Sequence, residues 1–74
     1  MLEYFKNLIL QYANIEAEEI KEESRLRADL GLTSFDIVSM AEDVSNEYAV
    51  TIPDEDIPTL KTVGDYMNYI KERV

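Results

Sequence analysis

The stretch Leu30-Gly31-Leu32-Thr33-Ser34-Phe35-Asp36-Ile37-Val38-Ser39-Met40 decides how this chain folds. A loop closes at Gly31 and a helix begins just after it. Thr33 predicts an N-cap, because its hydroxyl can accept from an amide of the first turn that has no partner inside the helix. Asp36 stands three residues on, where a carboxylate bonds back to the cap and favours the positive helix end. Ser34 then takes the first helical position, with its hydroxyl near the exposed amides. A phosphate joined to that hydroxyl would lie in an anion site. The plainer alternative makes Ser34 a second capping residue and nothing more.

Working outward, residues 33–48 read as one helix. Ile37, Met40, Ala41, Val44 and Tyr48 recur at helical spacing and predict its buried stripe. Phe35 and Val38 fall on the opposite side, beside Glu42 and next to the serine. Together with Asp36 they predict a docking patch around Ser34. The alternative is that loop residues such as Leu32 fold over them.

Upstream, residues 1–14 predict a first helix whose stripe is Leu2, Phe5, Leu8, Ile9 and Tyr12, with Leu10 partly exposed. Residues 15–32 lack a clean period and carry five glutamates; Glu18 to Glu23 suit a turn or two of helix. Ile20, Leu26, Leu30 and Leu32 are the anchors expected to pin this long connection, and such loops are often functional. Arg25 and Arg27 are expected to offset neighbouring carboxylates.

Downstream, residues 49–52 have strand-like composition but no partner strand, so they read as a connector ended by Pro53. Asp54-Glu55-Asp56-Ile57 suits one short helical turn, with proline in the first turn and Pro58 closing it. The acidic triplet lacks the glycine and distal glutamate of an EF-hand loop. Thr62 caps a last helix with Asp65 three residues on, and Val63, Tyr66, Met67, Ile70 and Val74 form its stripe. The fold expected is an all-α, small four-helix bundle: three longer helices plus one short one, with a long loop between the first two. It occupies residues 1–74 as a single domain.

Composition narrows the function. A chain of 74 residues buries only about 60% of its unfolded surface, so its core is small. Cysteine, histidine and tryptophan are all absent, which removes disulfides, thiolate or imidazole metal ligands, and histidine acid–base catalysis. Sixteen acidic against seven basic residues give a net charge of −9. That sign disfavours nucleic acid and anionic membranes and suits basic protein partners. No signal peptide or membrane-spanning run is legible, so a cytoplasmic protein is expected. The carboxylates are plentiful but stand in no catalytic arrangement, so no enzyme is expected.

These residues resemble the acyl carrier proteins of fatty acid and polyketide synthesis and their peptidyl carrier relatives, over essentially the whole chain. Asp29-Leu30-Gly31-Leu32-Thr33-Ser34-Phe35-Asp36 is similar to the family's D-L-G-x-D-S-L-D. Ile52-Pro53-Asp54-Glu55, Thr62-Val63 and Tyr69-Ile70 follow at the family's spacing. The resemblance implies that Ser34 carries 4′-phosphopantetheine through a phosphodiester, and that the arm's thiol holds an acyl group as a thioester. A chain without cysteine fits, since the sulfur arrives with the arm. The implied partners are a phosphopantetheinyl transferase (holo-carrier synthase), acyltransferases and ketosynthases with basic docking surfaces, met by a monomer through Phe35, Asp36, Val38 and Glu42.

The chain departs from the family in three places. Thr33 replaces the usual aspartate and so removes a charge beside the attachment point. Ser39 stands where glutamate is usual, with Glu42 about one turn further on, and Phe35 replaces leucine or methionine. An aminoacyl or peptidyl carrier of a specialised pathway is the nearest alternative. A small acidic adaptor without prosthetic group is the other, but it gives no reason for a serine in this frame.

Overall fold

The structure, a computed structural model, describes residues 1–74. Three α-helices, α1 (Leu2–Ile9), α2 (Ser34–Tyr48) and α3 (Val63–Lys71), are joined by two irregular connections. A short 3₁₀ helix, Asp54–Thr59, lies between α2 and α3, and a single 3₁₀ turn, Ala17–Glu19, interrupts the long first connection. No strand forms, and the expected bundle of three longer helices and one short one is what the chain builds.

Two helix starts follow the capping pattern. At α2 the Asp36 amide donates to Thr33 Oγ1 at 3.1 Å, and the Thr33 amide donates to the Asp36 carboxylate at 3.0 Å. At α3 the same exchange joins Thr62 and Asp65, at 3.0 and 3.1 Å. Each cap contributes about 1 kcal/mol. At its other end α2 stops on Ala49, held left-handed at φ 54°, which costs a residue with a side chain about 1–2 kcal/mol.

The first helix is shorter than its apolar pattern suggested. It ends at Ile9, and residues 10–13 continue as a tightened turn in which Gln11 and Tyr12 donate to Leu8 and Ile9. Such tightening satisfies the last carbonyls of a helix. It also delivers the Tyr12 hydroxyl to the Asp43 carboxylate of α2, 2.6 Å away. Leu10 is 38% exposed, as expected of a residue off the stripe.

One core takes Phe5, Leu8 and Ile9 from α1, Ile37, Met40, Ala41 and Val44 from α2, and Val63, Tyr66, Met67, Tyr69 and Ile70 from α3. Two assignments to the last stripe change. Val74 lies beyond the end of α3 and is exposed, whereas Tyr69 is buried. Tyr69 is drawn in by its hydroxyl, which donates to Asp56 of the 3₁₀ helix at 2.7 Å, and by Arg73 stacked 3.4 Å over its ring. Pro58 sits inside the 3₁₀ helix instead of closing it, and Pro53 caps that helix from outside its first turn.

The long connection is ordered by its anchors. Ile20, Leu26, Leu30 and Leu32 are all buried, each contributing about 1.5–3 kcal/mol against the entropy of fixing a loop. The helical turn expected over Glu18 to Glu23 is instead the 3₁₀ turn Ala17–Glu19, after which the chain runs along the start of α3. There Leu26 donates to the Lys61 carbonyl, Val63 to that of Ser24, and Gly64 to that of Glu22 at 2.7 Å. A Cβ on Gly64 would stand 3.0 Å from the Glu22 carbonyl oxygen, so a side chain there would push the Glu22 backbone back by a few tenths of an ångström.

The acids are spread over the surface, and no group of three or more could hold a metal ion. Only Glu3, Asp29 and Glu72 pair with a cation. Surface ion pairs are worth little, so mutual repulsion among the remaining carboxylates opposes the fold. Salt screens it, with a Debye length near 8 Å at physiological strength. The melting temperature is therefore expected to rise with sodium chloride at constant pH. Relief of about 1 kcal/mol corresponds to a rise of about 4–8 °C in a domain of this size. A melting temperature flat or falling with salt refutes the account.

Candidate functional site

Gly31 makes the site possible. Its φ of +73° is left-handed, a conformation that glycine adopts without steric cost. The turn folds the loop back on itself, with Gly31 donating to the Arg27 carbonyl at 3.1 Å and Leu32 to that of Leu26 at 3.0 Å. Leu32 plunges into the core while Thr33 and Ser34 stay at the surface.

Ser34 is exposed at the first residue of α2, and Arg27 Nη1 donates to its Oγ at 2.6 Å. The expectation that both arginines neutralise carboxylates therefore holds for one of them. Arg25 grips Asp29 through its backbone amide, Nε and Nη2 at 2.8, 3.1 and 2.9 Å, holding that carboxyl below its usual range. Arg27 has no carboxylate within ion-pairing distance. Nothing in the spacing of a loop arginine and a helix serine, seven residues apart, announces their contact; it depends on the Gly31 turn.

Phe35 and Val38 point outward, 79% and 54% exposed, and Leu32 does not cover them. Of the two readings left open by the sequence, burial under the loop is thus excluded. Glu42 lies exposed one turn beyond Val38 on the same face. Asp36 is half-buried, and its carboxylate is engaged by the Thr33 cap.

Beside Ser34 a cavity of about 470 Å³ opens between α2, the 3₁₀ helix and the segment preceding α3. Leu26, Ile37, Ile57 and Leu60 supply apolar lining, while Arg25, Arg27 and Lys61 supply a basic edge. Three of the chain's seven basic residues thus line the cavity that Ser34 borders, and Arg27 alone touches the serine. Lys61 is a second residue that the sequence pattern did not single out. Val44, Ile52 and Tyr69 are packed in the core and do not line the cavity.

Comparison with known proteins agrees with this geometry. The family described as "phosphopantetheine attachment site" matches residues 3–70. The acyl carrier protein of Clostridium acetobutylicum is 39% identical over 71 residues, covering 96% of this chain and 92% of that protein. The acyl carrier protein of Wolinella succinogenes is 36% identical over 66 residues, covering 89% and 87%. Among solved structures, an acyl carrier protein from Enterococcus faecalis superposes with a TM-score of 0.84 at 25% identity, over 99% of this chain and 92% of that one. With its serine-led second helix, its bundle of three α-helices and a short 3₁₀ helix, and these relatives, the chain belongs to the acyl carrier protein family.

Proposed function

We propose that this protein is an acyl carrier that holds its 4′-phosphopantetheine on Ser34 and acts as a single carrier domain, residues 1–74, in fatty acid or related polyketide synthesis. The observation that carries the assignment is the position of Ser34. It is an exposed hydroxyl at the first turn of α2, touched by a guanidinium and opening beside a part-apolar cavity. These residues fit a phosphodiester-linked arm: an accessible oxygen to bear it, a cation beside it and free space around it. When attached, the arm supplies the thiol that this cysteine-free chain lacks. The family's members are carriers and not catalysts, and this chain's own residues have the corresponding task of presenting the arm. Intact mass after incubation with coenzyme A and a broad-specificity phosphopantetheinyl transferase tests the assignment, with one addition expected.

The partners follow from the surface around Ser34. Phe35 and Val38 offer apolar contact, and Glu42, with Asp36 nearby, adds negative charge. Such a face suits transferases, acyltransferases and ketosynthases whose docking surfaces are basic. No helix is long and apolar enough to cross a membrane; a monomer working in the cytoplasm is the setting proposed. Val38→Asp is expected to weaken binding to a transferase or ketosynthase about tenfold or more, as loss of an apolar contact at an interface centre does. Stability should change by less than about 0.5 kcal/mol, as for other surface sites. Large destabilisation with unchanged binding refutes the docking face.

A further inference from the structure

Arg27 is out of place in the charge pattern of this chain. Acidic residues outnumber basic ones sixteen to seven, yet its guanidinium pairs with none of them. The next two acids along the chain are engaged elsewhere. Asp29 is taken by three donors of Arg25, and Asp36 accepts from the Thr33 amide. What Arg27 Nη1 reaches is Ser34 Oγ, at 2.6 Å.

An exposed hydroxyl needs no such partner, since water serves it equally well. A guanidinium is instead suited to phosphate, because its planar fork of N–H groups matches two oxygens at once. We propose that Arg27 is the residue that holds the phosphodiester of the arm, an inference that rests on Ser34 being its attachment point. With phosphorus bonded to Oγ, the two non-bridging oxygens come within reach of the fork that touches Oγ in the bare protein. Thr33 supports this from the other side. Where the family places an aspartate beside the serine, threonine neither repels the phosphodiester nor competes for Arg27. Arg27 also lines the cavity beside Ser34. Fixing the phosphodiester there restricts the first bonds of the arm and offsets, at its root, the negative charge that modification adds. Arg27 is thus a positioning residue for the arm.

Phosphorus NMR of the arm-bearing protein tests this. The wild-type resonance is expected to be displaced from that of a free phosphopantetheine diester and broadened to the tumbling of the protein. Arg27→Ala should return it to the free position with a narrowed line, while far-ultraviolet circular dichroism stays unchanged. Arg27→Lys should recover part of the displacement, because an ammonium keeps the charge but lacks the fork. The wild type gives a second measure: added salt should move its resonance toward the free value. Superimposable wild-type and Arg27→Ala spectra, or a wild-type resonance indifferent to salt, overturn the inference for Arg27 alone. A wild type that gains no arm overturns the assignment of Ser34, and this inference with it.

Discussion

Ser34→Ala is expected to abolish phosphopantetheinylation completely while leaving the fold intact. Modification requires one nucleophilic oxygen, and alanine leaves none at the start of α2. The structural cost is small because the hydroxyl is exposed and its one side-chain hydrogen bond is with Arg27. The cap of α2 belongs to Thr33 and Asp36, which alanine at position 34 does not touch. Alanine is also the best helix former, so helix content should hold or rise slightly. The contrast with Thr33 sharpens the test. Thr33→Ala removes the cap at a cost of about 1 kcal/mol but keeps the nucleophile, so it should lower stability and still permit modification. Intact mass and thermal melts on both variants separate the roles. Continued single modification of Ser34→Ala would place the arm on another hydroxyl and remove Ser34 from the site.

The residues that were legible in the sequence share a property: their roles depend on neighbours a few positions away. Thr33 with Asp36 and Thr62 with Asp65 are local capping exchanges, and the capping boxes formed as spaced. The stripe of α2 is local periodicity; it put Phe35 and Val38 on the far side of the helix but left open whether loop residues cover them, which the structure excludes. What was not legible depends on distant contacts. The early end of α1 goes with a bond between Tyr12 and Asp43, thirty-one residues apart. Tyr69 was missed as a core residue because its hydroxyl is held by Asp56, thirteen residues upstream on the 3₁₀ helix. The path of the long loop depends on backbone bonds to residues 61–64, which carry no side-chain signature except the bare Cα of Gly64. Arg27 belongs to this class. Its composition suggested a partner for nearby acids, and only the Gly31 turn redirects it to Ser34.

The second large effect expected is alkaline unfolding. All five tyrosines of the chain have pKa values raised above the ordinary 10.0, each disfavouring phenolate in the folded state. In Tyr12 the leading cause is the hydrogen bond to Asp43, which pushes the value up to about 12. For Tyr4, Tyr48 and Tyr69 burial leads, with nearby carboxylates adding to it. Tyr66 is fully buried, and burial alone pushes it up to about 12. An unfolded chain releases these protons near pH 10, while the folded chain keeps them to higher pH. The native state therefore binds more protons in that window, and stability falls as pH rises through it. The contribution is intact below pH 10 and is lost progressively toward pH 12. Tyr66 alone accounts for roughly 2–3 kcal/mol of that loss, against a total of roughly 4–11 kcal/mol for a chain of this length. Unfolding near pH 11–12 is therefore expected, read by circular dichroism together with phenolate absorbance. The Tyr66 hydroxyl has no hydrogen-bond partner, so Tyr66→Phe removes an unsatisfied buried polar atom and keeps the ring packed near Phe5. That variant should be no less stable at neutral pH and should unfold at distinctly higher pH. Tyr12→Phe, which loses its bond to Asp43, should cost stability at neutral pH instead. An alkaline midpoint unchanged in Tyr66→Phe would mean that solvent already reaches this hydroxyl, and that the fold gives way elsewhere.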